Sequence, residues 1–182
     1  MEILRIYTDG ACSNNQGENT IGGYGSVLEY NGVIKELHGG ERNTTNNRME
    51  LLAVINAFKA LKKEEQKIEV FTDSSYVANC FNDKWYENWR KNGWKNAKKE
   101  PVENRELWEE LLSLVEKHDV RFYRVKGHVN LNSENTDFKG HYEKFKKVNG
   151  TKFGFKDFLH IVEMNNRCDS LANLGIDEIR DV

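Results

Sequence analysis

Hydrophobic positions fall into short runs over the first part of the chain and into helical spacing over much of the rest. Residues 3–8 are apolar or β-favouring at nearly every position, which marks a strand buried on both faces. A polar turn region, 9–17, follows. Residues 22–30 and 33–38 then flank Asn31-Gly32, the dipeptide that most strongly signals a two-residue hairpin. Three antiparallel strands are therefore expected. Thr44-Thr45-Asn46-Asn47 reads as a helix start, and Met49, Leu52, Ile55, Phe58 and Leu61 continue it at helical spacing. Residues 68–72 form a fourth strand ending at Asp73, and the strand–helix–strand order favours a right-handed parallel crossover beside an earlier strand. Residues 74–80 and 103–117 look helical, 120–125 form a fifth strand, and 167–174 a short helix. With no internal repeat and no low-complexity linker, residues 1–182 are expected to make one α/β domain around a mixed five-stranded sheet.

Composition narrows the setting. Of 182 residues, 38% are hydrophobic and 31% charged, and the mean hydropathy is negative, as expected of a chain with a wet surface. No apolar run approaches the roughly 18 residues that a membrane helix needs. Met1-Glu2-Ile3-Leu4-Arg5 lacks the basic-then-apolar order of a signal peptide. Cys12, Cys80 and Cys168 are odd in number and far apart, and no CxxC pair suggests zinc. A reduced, cytoplasmic protein is the expectation. The net charge of −2 argues by itself against a nucleic-acid binder, so any such contact must rest on local clusters of basic residues.

The candidate chemistry lies in acids. Two strands end in a near-identical phrase, Tyr7-Thr8-Asp9-Gly10 and Phe71-Thr72-Asp73-Ser74. If the strands are parallel neighbours, Asp9 and Asp73 converge where open α/β sheets bind ligands. Each alone could cap the turn or helix that follows; the matched pair favours a shared site. Glu50 could be a capping-box glutamate in Asn47-Arg48-Met49-Glu50, and Asp169 a favourable acid near a helix N-terminus. Packed together, four carboxylates would repel one another strongly, and divalent cations are the usual resolution. Ligands that are all oxygen suit Mg²⁺ or Mn²⁺ and in-line displacement at phosphorus.

At these residues the sequence resembles type 1 ribonuclease H. The motifs, in order, are Tyr7-Thr8-Asp9-Gly10-Ala11-Cys12, Thr44-Thr45-Asn46-Asn47-Arg48-Met49-Glu50-Leu51, Thr72-Asp73-Ser74-Ser75-Tyr76-Val77, Val125-Lys126-Gly127-His128 and Asn166-Arg167-Cys168-Asp169. The resemblance implies a ribonuclease H-like fold with helices on both faces of the sheet. It also implies an endonuclease that cuts the RNA strand of RNA–DNA hybrids with two metal ions, leaving 5′-phosphate and 3′-hydroxyl ends. On that pattern Asp9 bridges two Mg²⁺ ions, with Mn²⁺ as a substitute. Glu50 and Asp73 complete the ion at the leaving group, and Asp169 helps hold the one that activates water. His128 would assist proton transfer or product release.

The same resemblance implies the substrate contacts. Cys12, Asn14, Asn15, Asn46 and Asn47 match minor-groove contacts, where short amides can read the 2′-hydroxyl. Thr45 matches a contact to a phosphate of the DNA strand, and Ser75 replaces a longer polar side chain found in many relatives. The segment 88–95 matches a basic handle. Between Trp89 and Lys99 lie Arg90, Lys91, Lys95, Lys98 and Lys99 without an acid, interleaved with Trp89 and Trp94. The lysines read as phosphate contacts; the tryptophans either pack on sugars, as Trp94 would, or anchor the segment. The expected partner is a hybrid duplex, with no membrane and no obligate protein partner, and the chain is expected to act as a monomer.

One departure is large. Asp169 follows His128 by 41 positions, where the family has a short loop, so residues 129–164 are an insertion. It carries Lys139, Lys144, Lys146, Lys147, Lys152 and Lys156 together with Phe138, Tyr142, Phe145, Phe153, Phe155 and Phe158. So many aromatics argue for a folded segment beside the active site, touching the hybrid or shielding His128. Rival readings are an integrase-like or Holliday-junction nuclease, a hybrid-binding module without catalysis, and a nucleotide-phosphate enzyme. The last lacks a Gly-rich phosphate loop.

Overall fold

A computed structural model describes residues 2–13 and 19–181. The chain opens with an antiparallel meander of β1 (Leu4–Ser13), β2 (Ile21–Tyr30) and β3 (Val33–Arg42). Helix α1 (Asn46–Lys59) crosses over to β4 (Lys67–Thr72), which pairs parallel with β1. Helices α2 (Ser75–Asn82), α3 (Trp85–Asn92) and α4 (Arg105–Val115) lead to β5 (Asp119–Arg124), parallel to β4. The chain then continues into α5 (Phe138–Asn149) and α6 (Phe155–Arg180). The sheet order is β3-β2-β1-β4-β5, the expected mixed five-stranded sheet. The hairpin turns on Asn31 (φ 51°) and Gly32 (φ 75°), both left-handed, as the Asn-Gly signal requires.

Alternation along the strands builds two cores. Ile6 lies level with Leu28 and Val70, and all three face α1, α2 and α4 in one apolar cluster. One residue on, Tyr7, Val27 and Phe71 face the opposite side, against α6 and the 129–164 segment. Helices thus cover both faces.

The 129–164 segment is no spacer. Phe145, Phe153 and Phe158 are buried beside Tyr7, Phe71 and Val125. Asp137 caps α5 by accepting from the Gly140 amide at 2.9 Å, and the Tyr142 hydroxyl donates to the Phe153 carbonyl at 2.8 Å. Arg5 on β1 donates two hydrogen bonds to Asp157, at 2.6 and 2.7 Å, and Lys152 reaches the buried Glu69 at 2.6 Å.

Two expectations need correction. The last helix is not a short element at 167–174 but a continuous 26-residue helix from Phe155 to Arg180. Its buried stripe runs unbroken from Phe158, Ile161 and Val162 through Cys168 and Leu171 to Ile176, so the apolar face never lapses. Strand β1 also continues past Thr8. The polar stretch from Asp9 to Ser13 stays in the sheet because Ile21 to Gly25 of β2 pair with it.

Candidate active site

The parallel pairing of β1 with β4 ends at Thr8 opposite Thr72. Asp9 and Asp73 are the next residues along the two strands. Asp9 therefore lies mid-strand, still paired through β2, rather than at a strand end. Glu50 arrives from α1. A Cβ at Gly10 would lie 2.6 Å from the Glu50 nitrogen and 2.7 Å from the Met49 carbonyl carbon, so the glycine lets α1 approach β1 here. Asp169 arrives from α6 by a similar approach, since a Cβ at Gly25 would collide with the Cys168 carbonyl oxygen.

One carboxylate oxygen from each of Asp9, Glu50 and Asp73 lies within 4.8 Å of the other two. Asp9 and Glu50 are buried, at 3% and 4% exposure. Glu50 Oε2 and Asp73 Oδ1 are buried with no hydrogen-bond partner, whereas Asp9 Oδ1 accepts from the Gly10 amide at 2.9 Å. Asp169 stands outside this tight trio but lines the same cleft of about 620 Å³, with His128 beside it. The His128 Nδ1 is 3.7 Å from Asp169 Oδ2.

The alternative structural roles for these acids are not the ones the fold uses. Thr45 caps α1, accepting from the Arg48 amide at 3.2 Å, which puts Glu50 too far along the helix for a capping box. Ser74, not Asp73, caps α2 through the Val77 amide. Asp169 sits deep inside α6, far from its N-terminus. Burial pushes the carboxyl groups of Asp9, Glu50 and Asp73 above the usual carboxylate range, and repulsion from neighbouring acids adds to it in each case. An all-oxygen set with two unsatisfied buried oxygens fits hard divalent cations.

Around the acids, Cys12, Asn46, Asn47 and Ser75 line the cleft, as the motifs imply. Thr45 is exposed at the start of α1. Asn14 and Asn15 lie outside the described residues. Tyr76 and Asn173 also line the cleft, and the sequence reading does not single them out. Asn173 follows Asp169 by one helical turn, a spacing that is there to read, and its side chain donates to the Asp169 carbonyl at 3.0 Å. His128 has a left-handed backbone (φ 58°) and a side chain 73% exposed, so the inserted segment does not shield it.

The handle separates into two roles. Trp94 is not a surface contact: it is only 8% exposed, packs on Trp89 and takes the Arg105 guanidinium over its ring at 5.4 Å. Trp94 has a left-handed backbone (φ 63°) and belongs to the same apolar cluster as Trp85, Trp89 and Trp108. Lys91, Lys95, Lys98 and Lys99 are exposed and make no ion pair among the described residues, while Arg90 is held by Glu116 at 2.6 Å.

Comparison with known proteins adds an independent finding. A family model described as RNase H matches residues 1–139. A ribonuclease H of Clostridium botulinum (strain Hall) is 47% identical over 178 residues, 98% of each chain, so the similarity spans residues 129–164 as well. A ribonuclease H of Caldanaerobacter subterraneus subsp. tengcongensis is 52% identical over 127 residues, covering 70% of this chain and 80% of its own. Among solved structures, the RNase H domain of PFV in solution superposes with a TM-score of 0.66 at 26% identity, covering 96% of this chain and 94% of that one.

Proposed function

This chain belongs to the ribonuclease H family, and from that premise we propose that it hydrolyses the RNA strand of RNA–DNA hybrids at the carboxylate cleft, leaving 5′-phosphate and 3′-hydroxyl ends. The observation that carries this reading is the trio of Asp9, Glu50 and Asp73 within 4.8 Å, with two buried oxygens left unsatisfied. Such a group is costly to bury and is of use only with counter-charge supplied by a ligand.

Asp9, Glu50 and Asp73 are the residues that would hold divalent cations, with Asp169 supplying a flanking carboxylate; Mg²⁺ is the ion expected and Mn²⁺ a substitute. When bound, two such ions would supply activation of a water and charge stabilisation at the departing 3′ oxygen. The remaining work falls to the chain's own groups. Asn46 and Asn47, exposed on the first turn of α1, can donate to and accept from a 2′-hydroxyl, which only the RNA strand offers. Cys12 and Ser75 shape the cleft wall beside them. Thr45 and the four free lysines of the handle hold backbone phosphates. The exposed His128 ring, next to Asp169, exchanges a proton with the reacting oxygen or the product phosphate. The protein works as a monomer, in the cytoplasm; among the described residues no helix is long and apolar enough to cross a membrane.

The test compares an RNA–DNA hybrid, duplex DNA and duplex RNA, each with Mg²⁺ and with EDTA. Cutting confined to the RNA strand of the hybrid, only with metal, is the expected result. Cutting of duplex DNA would favour an integrase-like nuclease instead. Binding of the hybrid without cutting in either Mg²⁺ or Mn²⁺ would leave a binding module.

A further inference from the structure

Beside the acid cleft lies a second cavity, of about 500 Å³, between the 124–129 loop and α5. Asp73 and His128 line both, so the two spaces adjoin. The floor is apolar, made by Val125, Val129, Phe145, Phe158 and Val162. The rim is basic: Arg124, Lys126, His128, His141 and Lys144 face one acid, Asp73. On α5 the facing residues are His141, Lys144, Phe145 and Val148, which share one side of the helix at helical spacing. Arg124, Lys126 and Lys144 are exposed and enter no ion pair among the described residues. Two other lysines of this region, Lys146 and Lys152, are instead held by acids. Lys146 pairs with Glu143 at 2.8 Å and Lys152 with Glu69 at 2.6 Å. A chain of net charge −2 thus keeps three cations unpaired around one cavity next to its acids.

The rim is also held in place. The Arg124 amide donates to Asn149 Oδ1 at 3.1 Å, and Asn149 Nδ2 donates back to the Arg124 carbonyl at 2.8 Å, which ties the end of α5 to the edge of β5. Asn166 Nδ2 donates to the Val129 carbonyl at 2.8 Å, which ties the loop to α6. Both the loop and α5 rest on the buried aromatic cluster. Unpaired cations on rigid supports are what a phosphate subsite requires.

We propose that this cavity is a second phosphate subsite, in which Lys144 and Arg124 hold a backbone phosphate of the nucleic acid next to the cleft. The proposal rests on the hybrid-cleaving reading of the cleft. It gives the inserted segment a role, because α5 lengthens the track along which substrate is gripped, on the side of the active site away from the trio's α1 flank. The subsite acts on ground-state affinity and on register, not on the chemical step.

The test uses the full chain with Arg124→Ala, Lys144→Ala and the double variant on a long RNA–DNA hybrid. Unchanged melting temperatures establish that the variants fold. The expected outcome is a several-fold rise in KM for each single variant, a larger rise for the double, and a kcat within about twofold of wild type. The slope of log KM against log salt should flatten by about 0.9 for each phosphate that is no longer held. A double variant with wild-type KM and salt slope overturns the proposal. A site for free phosphate alone would also overturn it, and would show as lost protection by inorganic phosphate with KM unchanged. The rise in melting temperature on adding Mn²⁺ alone, measured in wild type and variants, reads the acid cleft separately. Its absence in wild type would count against the cleft reading, whereas its presence with flat KM data would count against the subsite.

Discussion

At Glu50 the fold buries a carboxylate whose Oε2 accepts no hydrogen bond, and it does so against Asp9 and Asp73. Stability alone would not select such an arrangement, and this sets the first prediction. Glu50→Gln or Asp9→Asn, melted in EDTA, should be more stable than wild type by about 1–2 kcal/mol, roughly 2–8 °C for a chain of this size, while losing activity. A variant that melts lower than wild type in EDTA would contradict the repulsion. The pH dependence has a definite sign. Burial holds Asp9, Glu50 and Asp73 above the ordinary carboxylate range, so the metal-free native chain binds more protons than the unfolded one. Their contribution to stability is full below about pH 4 and is lost as pH rises through the raised native values. The melting-temperature gap between Asp9→Asn and wild type in EDTA should therefore widen from about pH 5 to about pH 8. A constant gap would mean that the trio does not titrate as described.

The elements show what a sequence makes legible and what it hides. The Asn31-Gly32 hairpin and the parallel β1–β4 pair are readable because a turn dipeptide and a crossover order are local signals. The four acids are readable too, as matched phrases and motifs, although nothing local tells that Asp9 sits mid-strand or that Gly10 is what admits α1. Helix α6 reads short because its first ten residues, 155–164, lie in a segment without a counterpart in the motif pattern. Yet Phe155, Phe158, Leu159 and Val162 already follow helical spacing. The rim of the second cavity is hidden for a different reason: Arg124 and Lys144 meet only through tertiary packing. The inserted segment behaves as core. Phe153→Ala, fully buried against Phe71, Tyr123 and Phe145, should cost about 3–5 kcal/mol in denaturant unfolding. A cost below about 1 kcal/mol would return the segment to the status of an appendage. Asp157→Ala should cost less, about 1 kcal/mol, because Asp157 is one-third exposed and its pair with Arg5 is screened by solvent. The Arg5 guanidinium holds the Asp157 carboxyl below its usual range, so this pair contributes above about pH 4 and fails as pH falls through the depressed value.

Over the whole molecule the net charge of −2 conceals a segregation. Acids meet in the cleft, four free lysines project from the handle, and further unpaired cations rim the cavity by α5. A hybrid bound at the cleft would find phosphate-binding cations in both segments, while the acids themselves would need counter-charge from metal ions. Substrate affinity should then fall steeply with salt although the protein is acidic, and Lys91→Ala with Lys95→Ala should raise KM several-fold and make its salt dependence shallower with kcat retained. The most direct single measurement is cleavage of a hybrid labelled on its RNA strand, by wild type and Asp9→Asn across a Mg²⁺ titration, with hybrid binding followed on the same samples. The expected result is metal-dependent cutting by wild type and a loss of about 10³-fold or more in Asp9→Asn, with hybrid binding retained. Cutting by Asp9→Asn at close to the wild-type rate would contradict the assignment of the chemistry to the carboxylate cleft.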